Sequence, residues 1–243
     1  MSWYKDWFSS EHYLKVYSHR DLTEAERLVE FIIKKTQPEE DATILDMACG
    51  AGRHAIAFAK KGFKVTAVDL SELLIREAKK NAEQNNVQID FVVSDILNFD
   101  TVNRFDLIAN LFTSFGYFEN DDDNYGVIQK SYSLLKKGGY FVLDYFNKNF
   151  LINNIIPTTV LSENGKRITQ NRLIKDQRIV KNITIENNGN TSEFYESVRL
   201  YSYEEILAYF DKAGFTNLSL LGDYHGNEHN KESSQRLIVF GKK

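Results

Sequence analysis

The segment Ile44-Leu-Asp-Met-Ala-Cys-Gly-Ala-Gly-Arg-His constrains the fold of this chain more than any other. Its apolar start predicts a buried strand over Thr43 to Met47, and the small residues that follow predict a tight turn opening straight into a helix over Gly52 to Lys61. Gly62 stands where that helix needs a C-terminal cap. A second strand is expected over Phe63 to Asp69, then a helix capped by Ser71 and running to about Asn85. Further strands are expected over Gln88 to Val93 and Phe105 to Leu111, a helix over Asp121 to Lys137, and a fifth strand over Tyr140 to Phe146. Strands alternating with helices of this length predict a parallel, doubly wound α/β sheet.

The flanks follow other periods. Residues 1–40 read as helical and aromatic, with Leu22, Leu28, Val29, Ile32 and Ile33 forming an apolar stripe. From about residue 155 to 201 the pattern alternates with the period of strands, and Asn188-Gly189 is a hairpin signal. Ser202 then caps a helix to about Ala213, Gly214 ends it, and strands over Phe215 to Leu221 and Arg236 to Phe240 close the chain, pairing antiparallel. The expectation is one domain of 243 residues: a helical lid (1–40), a ligand-binding core (41–150), an antiparallel β insert (151–201) and a closing helix with two strands (202–243).

Three acids should meet at the carboxyl edge of the first three strands, where open α/β sheets bind ligands. Asp46 precedes the glycine turn, Asp69 ends the second strand 23 residues later, and Asp95 follows the third in Ser94-Asp-Ile96. Gly50 and Gly52 let backbone approach a ligand where a Cβ would collide. An acid at Asp69 can accept both hydroxyl hydrogens of a ribose, and one at Asp95 an exocyclic adenine amine.

With these pieces the sequence resembles the class I S-adenosylmethionine-dependent methyltransferases. The matching segments are Asp46-Met-Ala-Cys-Gly-Ala-Gly, Asp69, Ser94-Asp95-Ile96, Phe105-Asp-Leu-Ile-Ala-Asn and Leu134-Leu-Lys-Lys-Gly-Gly139. Ala48 stands where that family usually has its first glycine. Phe112-Thr-Ser-Phe-Gly-Tyr-Phe and the insert are similar to small-molecule members, the amino-sugar N-methyltransferases among them.

The resemblance implies a Rossmann-like, mostly parallel seven-stranded sheet whose last strand is antiparallel, and S-adenosyl-L-methionine as cofactor. It implies that Asp46 and the backbone near Ala48, Gly50 and Gly52 hold the methionyl end, Asp69 the ribose with Leu70 on the adenine, and Asp95 and Ile96 the adenine edge. Asn110 and Leu111 would flank the sulfonium. Arg53, or Tyr17 and Arg20 from the N-terminal helices, could meet the methionyl carboxylate, to which an arginine fork is suited.

In-line transfer of an activated methyl group needs mainly positioning and exclusion of water. A base is needed only if the N or O nucleophile must lose a proton; Tyr117, Tyr145, Tyr224 and His225 are the candidates. His225-Gly-Asn-Glu228-His229 matches a zinc pattern that requires both histidines on one helical face, but Gly226, Asn227 and Asn230 predict a loop, so no metal is expected. Cys49, the chain's single cysteine, reads as a small buried residue.

A net charge of −4 gives no electrostatic reason to bind nucleic acid. No signal peptide pattern and no apolar run near the roughly 20 residues of a membrane span is present, so a cytoplasmic protein with a small-molecule substrate is expected. The sequence leaves the oligomeric state open. An NAD(P)-dependent oxidoreductase is the main alternative, because Gly50-Ala-Gly52-Arg-His-Ala55 also fits a loose dinucleotide fingerprint. Asp46, Asp95 and the long lead before the first strand favour the methyltransferase. A non-catalytic nucleoside-binding protein is the other alternative.

Overall fold

A computed structural model describes residues 3–17, 22–163 and 165–243. The glycine turn sits where the sequence places it, between β1 (Thr43–Met47) and α4 (Arg53–Lys60). Before it come α1 (Trp3–Phe8), α2 (Glu11–Val16) and α3 (Leu22–Thr36). After it, β2 (Lys64–Asp69), α5 (Glu72–Gln84), β3 (Asp90–Val93), β4 (Phe105–Asn110), α6 (Asp121–Leu134) and β5 (Leu135–Phe146) complete the expected alternation. The Ser71 hydroxyl accepts from the Leu74 amide at 3.2 Å and starts α5. Helix α8 (Tyr203–Ala213) carries a full capping box, Ser202 with Glu205, and ends at Gly214 in the left-handed region.

The main sheet has the order β10-β11-β5-β4-β1-β2-β3, where β10 is Thr216–Leu221 and β11 is Arg236–Lys242. β11 alone runs opposite to the other six strands. Helices α3 and α4 bury Leu28, Ile32 and Phe58 on one face, and α6 and α8 bury Ile128, Ile206 and Phe210 on the other. This is the doubly wound, Rossmann-like arrangement, with the carboxyl ends of β1 to β4 along one edge.

A short helix α7 (Lys148–Asn154) leads into a second, antiparallel sheet of β6 (Thr158–Glu163), β7 (Lys166–Lys175), β8 (Arg178–Asn187) and β9 (Asn190–Arg199). Asn188 and Gly189 turn the β8–β9 hairpin with φ of 48° and 81°, matching the two left-handed positions a type I′ turn requires. Asp176 and Gln177 do the same between β7 and β8. Trp3, Trp7 and Val16 from the first two helices pack on Ile183 and Ile185 of β8. The Ser71 hydroxyl donates to the Phe8 carbonyl at 2.7 Å, so α1 bridges the main sheet and the insert.

Most strand ends fall within two residues of expectation; two departures are larger. Helix α6 stops at Leu134 rather than Lys137, because Leu135 pairs with Phe105 and starts β5 early. Residues 148–154 are helical. No helix among the described residues is long and apolar enough to cross a membrane.

Candidate functional site

The turn after β1 is held in left-handed backbone at Ala48, Gly50 and Gly52, with φ of 57°, 55° and 84°. The two glycines serve different ends. A Cβ on Gly52 would meet the Cβ of Ala78 at 3.0 Å, so this glycine lets α4 and α5 approach. A Cβ on Gly50 would meet nothing within 4 Å; the space beside it is open. Ala48 occupies a conformation that costs an L-residue about 1–2 kcal/mol.

Asp69 fixes this turn from the next strand. Its Oδ2 accepts from the Gly50 amide at 2.8 Å and its Oδ1 from the Ser71 amide at 2.9 Å. Burial pushes its pKa up, and the Ser71 and Gly50 amides oppose that rise. Asp95 accepts from the Leu97 amide at 3.0 Å. Asp46 is almost wholly buried, and its Oδ2 has no partner among the described residues. The same is true of Asn110 Oδ1, while Asn110 Nδ2 donates to the carbonyls of Met47 and Ser114. Buried acceptors left without donors are costly in a folded protein.

Burial is the main reason the Asp46 carboxyl is pushed up to about 7; the Ala55 amide and Arg53 pull it down, while Asp69 raises it further. The native chain therefore keeps a proton that an unfolded aspartate loses near pH ~4. The associated stability is complete below that value and is lost as pH climbs towards about 7. Asp46→Asn should remove this dependence. In thermal melts of the cofactor-free protein, the variant should gain on the wild type between about pH 5 and about pH 8; an equal difference at both values would refute the assignment.

The open space beside Gly50 belongs to a cavity of about 1020 Å³. Of the residues expected at a ligand site, Tyr17, Ala48, Gly50, Arg53, Asp69 and Leu70 line it, as do Asp95, Ile96, Leu111 and Tyr117. Asp46, Gly52, Ser94 and Asn110 stand behind the wall. The Ser94 hydroxyl turns to the Asp95 carbonyl. Arg20 lies outside the described residues. Arg53 stacks on Phe112 with its guanidinium carbon 5.0 Å from the ring centre and faces Glu24 at 3.7 Å.

Two candidate proton acceptors are misplaced. Tyr145 is fully buried in the core, where its hydroxyl donates to the Arg199 carbonyl and burial pushes its pKa far up. His225 is exposed and does not line the cavity. The β10–β11 loop does reach the carboxyl edge, but Tyr224 donates its hydroxyl to Asp144 at 2.9 Å instead. His229 sits in the same loop, 3.1 Å from the Arg236 carbonyl, so it shares no helical face with His225. The Cys49 thiol is held far above its ordinary value, chiefly by burial, and is no thiolate at neutral pH.

The structure adds residues to which the sequence assigned no individual role, and links them to some that it did name. Phe8 and Tyr13 continue a chain of ring contacts from Tyr17 to Tyr117, with centroids 4.9, 5.0 and 5.5 Å apart. Phe112 and Thr113, at φ of 59° and 64°, form a strained turn on the cavity wall. Asp144 holds that turn: its Oδ2 accepts from the Phe112 amide at 2.9 Å and its Oδ1 pairs with Arg236 at 2.7 Å. Arg178 of β8 clamps the next stretch by donating to the carbonyls of Gly116, Tyr117 and Phe118. The aromatic spacing of residues 112–118 was the available signal. Tyr17, expected at a methionyl carboxylate, donates to Glu196 of β9 at 2.5 Å and accepts from Lys181.

Residues 44–139 match the family model of a methyltransferase domain. A protein of Geobacillus sp. (strain WCH70), named as a methyltransferase, is 26% identical over 209 residues, covering 82% of this chain and 84% of that one. An S-adenosylmethionine-dependent methyltransferase from Clostridium acetobutylicum ATCC 824 superposes with a TM-score of 0.81 at 19% identity, over 94% of both chains. An amino pentose methyltransferase from Micromonospora echinaspora, solved with S-adenosylmethionine bound, gives 0.70 at 18% identity over 96% of this chain and 98% of that one.

Proposed function

This chain belongs to the class I S-adenosylmethionine-dependent methyltransferases, and on that premise we propose that it methylates a small molecule held under its N-terminal helices and β insert. The observation that carries this is the cavity itself. At about 1020 Å³ it stands at the top of the size range for a single-ligand site, with room for both a cofactor and an acceptor. Its cofactor end lies along the β1–β3 edge; its other end is walled by rings and by the insert.

S-adenosylmethionine supplies an already activated methyl group, which a positioned nucleophile takes by in-line displacement. The chain's own residues position and exclude. Asp69 is the acceptor for ribose hydroxyls, Asp95 and Ile96 meet the adenine edge, and the Gly50 backbone gives the methionyl end its close approach. Arg53 is the cavity cation next to that end and suits its carboxylate. Phe8, Tyr13 and Tyr117 displace water from the acceptor's side, which strengthens every polar contact inside. Tyr117, one of the tyrosines that line the cavity, is our choice for contact with the acceptor, and a proton can leave through it where the nucleophile requires that. The match to a methyltransferase domain and to methyltransferase relatives weighs against the nicotinamide oxidoreductase, and turnover separates an enzyme from a non-catalytic binder.

Two measurements test this. Calorimetry should detect S-adenosylhomocysteine and give no signal with NAD(P). A metabolite panel with methyl-labelled S-adenosylmethionine should yield at least one labelled small product. Labelling confined to protein or nucleic acid would overturn the small-molecule assignment.

A further inference from the structure

The cavity face of the insert carries an unusual row of charges. Arg172 of β7 lies directly opposite Lys181 of β8, which lies directly opposite Glu196 of β9. Directly paired residues share one face of a sheet, and all three line the cavity. On β8 and β9 the neighbours two residues along on that face are apolar, Ile179 and Val198 on one side and Ile183 and Phe194 on the other, while on β7 they are Ile174 and Gln170. Two cations opposite one another destabilise a strand pair. This wall keeps both.

Glu196 compensates only one of them. It pairs with Lys181 at 2.5 Å, and its Oε1 also accepts from Trp7 at 2.7 Å and from Tyr17 at 2.5 Å. Its charge is spent on the side where α1 and α2 pack. Arg172 is half-buried and makes no ion pair among the described residues. Its guanidinium is aimed by neutral oxygens alone: Gln170 Oε1 at 2.6 Å, Thr159 Oγ1 at 3.1 Å and the Ile156 carbonyl at 3.4 Å. Gln170 is itself buried, which fixes the fork. The other cavity-lining cations, Arg53 and Lys181, each face a carboxylate.

We propose that Arg172 binds a carboxylate on the methyl acceptor, so that the substrate is a largely apolar or aromatic acid. The row Arg172–Lys181–Glu196 carries one net positive charge, which a monoanion neutralises. The guanidinium is planar and its remaining N–H groups match a carboxylate. Ile179 and Val198 give the rest of such a molecule an apolar bed. This deepens the methyltransferase assignment above and rests on it.

The test uses the full chain saturated with S-adenosylhomocysteine. Both tryptophans, Trp3 and Trp7, lie in α1, and Trp7 bonds Glu196, so their fluorescence reports on this row. Probes are 4-aminobenzoate and phenylacetate, their carboxamides, and inorganic phosphate. The carboxylates should bind saturably and at least about tenfold more tightly than the amides. Arg172→Gln should weaken them about tenfold or more, Arg172→Lys should keep the charge but not the planar fork and so fall between the two, and S-adenosylhomocysteine should bind all three proteins alike. Amides binding as well as acids, no saturation by either acid, phosphate outcompeting both acids, or an unchanged Arg172→Gln would each overturn the proposal. Failure of the wild type to bind S-adenosylhomocysteine would instead refute the methyltransferase assignment.

Discussion

Asp69→Ala is expected to weaken S-adenosylhomocysteine binding by about 100-fold, or about 2.7 kcal/mol. Each carboxylate oxygen of Asp69 already accepts one backbone amide, from Gly50 or Ser71. An ionised carboxylate offers about four lone-pair sites, so two remain, one on each oxygen, for two vicinal hydroxyls. Hydrogen bonds to a charged group contribute about 1.5–3 kcal/mol each, and two of them, discounted for the hydration they replace, give the stated loss. Alanine also strips the Gly50 amide of its acceptor and so loosens the turn that approaches the ligand. Asp69→Asn separates these effects. It keeps an acceptor for one amide but loses the charge, so its affinity should fall between the two. Calorimetric titration of the three proteins measures this; an Asp69→Ala protein within about threefold of wild type would exclude ribose binding at this edge.

The sheet was legible because its signals are local. Gly50, Gly52 and Asp69 announce a strand–turn–helix and a strand end through spacing alone, and Ser71, Ser202 and Gly214 mark helix ends through side-chain chemistry that needs no partner elsewhere. The end of α6 was not legible, since the pairing of Leu135 with Phe105 is a tertiary contact that overrides the helical propensity of Lys136 and Lys137. The insert's second hairpin was missed because Asp176-Gln177 lacks the glycine that usually signals such a turn.

The acceptor side of the site was hidden by parity. In β5, Tyr145 faces the same core as Phe141 and Leu143, while Asp144 faces the opposite way towards the 112–113 turn. Which parity meets the cavity depends on how two sheets dock, and no window of sequence contains that. Period-2 alternation put Arg172, Lys181 and Glu196 on strands, but only their register shows that they stand in one row.

Asp144→Ala should cost about 3–5 kcal/mol of stability, the range for breaking a buried ion pair, and lower the melting temperature by about 10 °C in a chain of this size. Asp144 is fully buried and serves three groups through four donor atoms: Arg236 through two nitrogens, the Tyr224 hydroxyl and the Phe112 amide. Removing it strands the Arg236 guanidinium and leaves the Phe112 amide unpaired. Phe112 and Thr113 then lose a contact that holds them at positive φ, where a β-branched residue is strained. Turnover should therefore fall further than the melting point alone explains, because this turn lines the cavity. The pair Asp144→Leu with Arg236→Met tells charge from positioning. Replacing both partners with apolar groups of similar size should restore much of the stability. It cannot restore the acceptor for Phe112 and Tyr224, so the defect in turnover should persist in the refolded, thermally stable double variant. Recovery of both together would mean that Asp144 only neutralises Arg236; a single variant within about 1 kcal/mol of wild type would mean that the buried pair contributes little.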